Sequence, residues 1–141
     1  IIESELGGHC SDYVSIAKNI DLNNDGINEL FVEGNGNFGN VSTAPIWVIG
    51  KDGDSFKILL REQGEIYEIK KSRTNFYYDL YFPSRRNVSS SFLSTYEFND
   101  GKYQLQKCQV AFFNGSEKPY KIFDCGETEK IEKFESENQN R

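Results

Sequence analysis

"DLNNDGINELFVEG" runs from Asp21 to Gly34. It opens with oxygen-bearing side chains at every second position, Asp21, Asn23 and Asp25, then Gly26 and, after Ile27, Glu29. It closes on an apolar run. Two folds compete for such a stretch. A helix–loop–helix calcium site needs a bidentate acid at loop position twelve. That position holds Val32. The flanks, "YVSIAKNI" before and "INELFVEG" overlapping the end, are rich in β-branched residues, which favour strands. The stretch therefore reads as strand–loop–strand, and the domain as all-β.

The rest of the chain agrees. "PIWVIG" (45–50) is an uninterrupted apolar run bounded by Pro45 and Gly50, the pattern of a central strand. "DSFKILLRE" follows the turn dipeptide Asp52-Gly53. In "NFYYDLYF" the alternation puts Phe76, Tyr78, Leu80 and Phe82 on one face. "SFLSTYEF" does the same for Phe92, Tyr96 and Phe98. Asp100-Gly101 then turns the chain into "KYQLQKCQVAFF", where Tyr103 and Leu105 have one parity and Val110 and Phe112 the other. A β-bulge near Lys107 reconciles them. "GKDGDSFKILL" and "FNDGKYQLQKC" share a turn followed by an aromatic residue and a strand, roughly 50 residues apart, near the period of a propeller blade. One chain of this length suits a single domain. The expectation is a mainly antiparallel, curved meander of hairpins over residues 1–126, resembling one or two blades. "PSRRNVSSS" (83–91) reads as a polar loop. Residues 127–141 read as a charged C-terminal tail, with at most a frayed helical turn around Ile131 and Phe134.

The 141 residues are 37% hydrophobic and 14% aromatic, with no methionine and a net charge of -6, so nucleic acid and anionic membranes are poor partners for this surface. No stretch approaches the ~18 apolar residues of a membrane helix. The absence of an initiator methionine leaves a removed leader or a trimmed chain; we expect a removed export signal and a periplasmic or secreted protein. Three cysteines allow one internal disulfide. Cys108–Cys125 closes a short loop and is the natural pair; Cys10 with either partner, or three free thiols, are the alternatives.

The acidic loop points to a cation. A hard dication takes oxygen ligands at about 2.3–2.6 Å, and alternate residues of a curled loop point inward together. Asp21, Asn23 and Asp25 would supply side-chain oxygens, Ile27 its backbone carbonyl and Glu29 its carboxylate, with Ca2+ as cofactor. The alternative is a metal-free turn in which Asp21 and Asp25 accept backbone N–H groups. The loop resembles the FG-GAP / VCBS class of calcium loops, through Asp21, Asn23, Asp25, Gly26, Glu29 and Leu30 and the later "GNGNFGN". That resemblance implies an exported, FG-GAP-like β domain with a structural calcium ion. The chain departs from the pattern in having Glu29 where integrin-type loops have aspartate, and in having a single loop.

Other motifs lack their context. "GNGNFG" matches G-x-G-x-x-G, but Pro45 and β-branched residues follow where a helix is required. "SIAK" matches S-x-x-K without the helix or partner strand of a serine acylase. His9 is the only histidine. With Cys10, Cys108 and Cys125 it has zinc-ligand chemistry without the C-x-x-C spacing. No catalytic residue is assigned, and a non-enzymatic protein is expected. The leading class is a protein-binding module. A sharper version is an immunity or inhibitor protein that blocks a cationic cell-wall hydrolase or secreted toxin, since acidic charge speeds that encounter. Contacts would come from "YFPSRRNVSSS" or "EGNGNFGNVS". A carbohydrate-binding module or an adhesin fragment is the lesser alternative.

Overall fold

The computed structural model describes residues 14–34, 45–63 and 67–138. They form two antiparallel sheets and one helix. The first sheet is a meander of β1 (Val14–Ile20), β2 (Glu29–Gly34), β3 (Pro45–Asp52) and β4 (Ser55–Gln63). The second is a meander of β5 (Glu68–Thr74), β6 (Tyr77–Asn87), β7 (Ser90–Asn99), β8 (Lys102–Phe112) and β9 (Lys121–Asp124). The helix α1 covers Thr128–Asn138. The expected all-β meander is present, divided into sheets of four and five strands rather than drawn out as one.

The division follows from burial. In β3 all six residues of "PIWVIG" are buried, which places this strand inside its sheet, between β2 and β4. Phe31, Ile46, Val48 and Leu60 point to the second sheet and pack against Leu80, Phe82, Tyr96 and Tyr103. Val32, Trp47 and Ile49 have the opposite parity and form a cluster of their own on the other face. The bulge expected near Lys107 is found: Thr95 pairs with Lys107 and Tyr96 with Leu105, leaving Gln106 as the extra residue.

Register carries the core across the second sheet. Leu80 pairs with Tyr96, Phe92 with Val110, and Val110 with Phe123. All stand on one face. The first sheet covers one end of that face and α1 covers the other, where Ile131 and Phe134 close on Val110, Phe112 and Phe123. The residues expected to trail as a tail are therefore a docked helix from Thr128 to Asn138. Two apolar residues three apart suffice because their receiving surface is already built by β8 and β9. The Arg86 guanidinium fixes the far side with a fork onto Glu135, at 3.1 and 2.7 Å.

Two further expectations change. Residues 83–91 are not a loop: β6 runs to Asn87, β7 starts at Ser90, and Val88 sits exposed between them. Pro83 is tolerated because β5 pairs with β6 only as far as Tyr81, so past that point β6 has β7 alone as neighbour. Phe76 does not share the face of Leu80 and Phe82. It lies with Asn75 in a two-residue hairpin turn, both at positive φ (51° and 76°), and is 82% exposed. Cys108 and Cys125 are joined as expected, with Cα atoms 5.4 Å apart. A disulfide fits an oxidising, extracytoplasmic setting. Among the described residues no helix is long and apolar enough to cross a membrane. His9, Cys10 and most of "EGNGNFGNVS" lie outside the described residues.

Replacing Ile131 by alanine should cost about 2–5 kcal/mol, as for a core residue of this size. Urea unfolding measures it; a midpoint equal to that of the unaltered chain would mean that α1 does not support the sheet.

Candidate metal centre

The loop between β1 and β2 is built as the sequence dictates. Asp21 follows β1 and turns its carboxylate into the loop, where its oxygens accept the N–H groups of Asp25 at 3.2 Å and Gly26 at 2.8 Å. Asp25 accepts the Ile27 N–H at 2.9 Å and the Asn23 amide at 3.1 Å. Gly26 has φ +85°, and a Cβ there would meet nothing within 4 Å, so what the glycine supplies is the left-handed backbone rather than room. Asn24 shares that conformation at φ 59°, which asparagine tolerates. Ile27 leaves its side chain half exposed.

Leu22 ties the loop to the core. Its side chain is fully buried between the sheets. Its N–H donates to Glu29 Oε1 at 2.7 Å, and its carbonyl accepts the Tyr78 N–H of β6 at 3.0 Å. The Tyr78 carbonyl in turn accepts the Tyr103 hydroxyl at 2.7 Å. Glu29 is only 3% exposed. Together with Asp25 it lines a cleft of about 240 Å³ that Lys57, Tyr77 and Phe98 also reach.

Acids and lysines both line this pocket, and at Glu29 the acids prevail. Burial pushes the Glu29 carboxyl above its ordinary value, and the charges of Asp25 and Asp21 push it further, against the Leu22 N–H. Burial also raises the Tyr77 phenol, with Glu29 and Asp25 adding to it and the Asn23 amide opposing. For Asp21, burial alone would raise the carboxyl; the N–H groups of Gly26, Asp25, Asn24 and Asn23 outweigh it and hold it below its usual range. The ion pairs Arg86–Glu135 and Lys130–Glu127 both lie outside this loop. Asn23 Oδ1 is buried and has no hydrogen-bond partner. An orphaned buried acceptor costs about 1–3 kcal/mol unless something fills the place.

Asp21, Asn23, Asp25 and Glu29 thus share one loop, with Ile27 between them. Their carboxylates are turned to backbone N–H groups, and among the described residues no three Asp, Glu, His or Cys side chains gather into a group that would hold a metal ion. The geometry displayed is the hydrogen-bonded turn. The donor chemistry nevertheless fits a hard cation: Asn23 Oδ1 has a lone pair to give, and the lysines of the cleft, Lys51 and Lys57, form no ion pair with Glu29 or Asp25. Sequence reasoning missed Leu22 and Tyr77, whose places depend on β6 and leave no local signal. Comparison of the chain with models of protein families, with curated proteins and with solved structures gives no match.

Glu29 yields a pH prediction. A carboxyl raised in the fold contributes stability that is complete below the unfolded value, near 4.5, and lost as pH rises through the raised value. With EDTA present, the melting temperature should therefore rise as pH falls from neutral towards that value. Glu29→Gln should flatten the rise and leave the cation-free chain at least as stable at neutral pH. A large loss of stability in this variant would show that Glu29 serves the fold as a charge without any cation.

Proposed function

We propose that this chain is an exported, non-enzymatic β domain of the FG-GAP / VCBS-like type, that its Asp21–Glu29 loop takes up one calcium ion, and that it acts as a protein-binding module. The observation that carries the metal reading is the pairing of a buried, unpartnered Asn23 Oδ1 with a buried Glu29 carboxylate whose pKa is raised by burial and by the charges of Asp25 and Asp21, and which Lys51 and Lys57, lining the same cleft, do not engage in an ion pair. Asp21, Asn23, Asp25, the Ile27 carbonyl and Glu29 would hold the ion. Bound there, calcium neutralises the acids and gives the loop a fixed shape. Its role is structural, because Leu22 transmits that shape directly to β6.

The partner of this reading is a protein carrying positive charge. Support comes from the net charge of -6 and from the oxidised cysteine pair, which fits a periplasmic or secreted protein. In its sharper form the chain is an immunity or inhibitor protein for a cationic cell-wall hydrolase or toxin, in which acidic charge accelerates encounter and salt slows it.

Calcium added to EDTA-treated protein at about a hundred times its dissociation constant should stabilise the fold by about 2.7 kcal/mol. For a chain of this size that corresponds to a rise in melting temperature of roughly 5–10 °C. Asn23→Ala and Asp25→Ala should abolish the rise. An unchanged melting temperature with calcium and with EDTA sinks the metal reading. The module reading predicts a stoichiometric complex with a secreted cationic hydrolase encoded beside this protein, its association rate falling steeply with salt; turnover of peptidoglycan by the purified chain alone would end it.

A further inference from the structure

The second sheet has one face covered by the first sheet and by α1. Its other face carries the alternate residues. Tyr81 pairs with Thr95, and Thr95 with Lys107; Leu93 pairs with Gln109. Across β5 to β8 these residues floor a groove of about 650 Å³. Ligand sites occupy about 300–1,000 Å³.

Three features distinguish the groove from an ordinary solvated sheet. First, Asp79 faces it yet is only 5% exposed. Its two oxygens accept the hydroxyls of Ser72 at 2.7 Å and Thr74 at 2.8 Å. The register shift between Ile69 and Arg73 in β5 brings Ser72 opposite it. Each carboxylate oxygen keeps a further lone pair, held in a fixed direction. Second, the irregularity in β8 places two consecutive residues, Gln106 and Lys107, at the groove together, where a regular strand would offer one. Third, its charges cancel: Lys70 and Lys107 against Asp79 and Glu97, although the chain as a whole is acidic.

A neutral floor that interleaves fixed acceptors, ammonium donors and amides selects no ion. It matches a ligand whose groups both donate and accept, which is the chemistry of sugar hydroxyls. Tyr81 is half-buried and, with Leu93, gives an apolar strip of the kind against which the C–H face of a pyranose packs. We infer that this face binds a neutral oligosaccharide. The site is separate from the calcium loop and does not rest on it.

The test uses the full chain and an array of neutral hexose and N-acetylhexosamine oligosaccharides, followed by NMR titration with cellotetraose, maltotetraose and chitotetraose. We expect at least one oligosaccharide class to bind and to shift resonances of β6, β7 and β8 around the groove. Tyr81→Ala and Thr95→Arg, which fills the groove without touching the core, should each weaken binding about tenfold or more, that is by about 1.4 kcal/mol. Melting curves show whether each variant is folded, and Thr95→Arg carries the test if Tyr81→Ala is not. Binding should be equal in EDTA and in calcium, so loss of the metal reading leaves this one intact. Binding of nothing on the array, or binding that survives in the folded variants, overturns it.

Discussion

The fold turns on one residue, Leu22, which belongs to neither sheet and is bonded to both. Its side chain is buried in the shared core, its N–H is held by the Glu29 carboxylate at the start of β2, and its carbonyl is held by the Tyr78 N–H in β6. The Tyr103 hydroxyl, on β8, closes on the Tyr78 carbonyl. Sheets that pack face to face are held chiefly by non-directional burial, which tolerates sliding. This chain of three hydrogen bonds is directional. It fixes the height at which the first sheet meets the second, and it begins at a carboxylate whose protonation and counter-charge are open to the solvent's composition.

That arrangement explains why the acidic loop sits where it does. The loop shapes the end of β1 and the start of β2, but its most consequential contact is with a strand roughly fifty residues further along the chain. Ordering it therefore stiffens the junction of the sheets as well as the first hairpin. Gly101 belongs to the same end of the molecule: at φ +82°, it leaves space that a Cβ would take from the Lys57 ammonium, 2.7 Å away. The cleft beside Glu29 is thus lined by Lys51 and Lys57 as well as by acids, and its balance of charge is set by which of these groups a solute or partner satisfies.

Much of this was legible in the sequence, and what was missed has a common cause. Strand identity followed from β-branched runs, the central position of β3 from its unbroken apolar stretch, and the bulge at Gln106 from the change of parity between Leu105 and Val110. The strand β5 escaped notice because "EIKKSRT" carries a single large apolar residue; it exists because β6 needs a neighbour. The helix α1 escaped for the same reason, since Ile131 and Phe134 gain meaning only against Phe112 and Phe123. In the candidate site, Asp21, Asn23, Asp25 and Glu29 were readable from their spacing. The burial of Glu29 and the orphaned oxygen of Asn23 were not, because both depend on what Leu22 and Tyr77 bring from elsewhere.

The disulfide has a consequence beyond joining two residues. Cys125 follows β9 directly, donates its N–H to the Cys108 carbonyl at 3.0 Å and stands just before α1. The last strand of the sheet is only four residues long. Such a strand would ordinarily peel away first and bare the unpaired groups of β8, the kind of edge that invites a strand from another molecule. With the sulfurs joined, loss of α1 alone cannot release β9. The bond therefore keeps the short last strand in register on β8, and reduction would leave this end of the sheet held by its four-residue ladder alone.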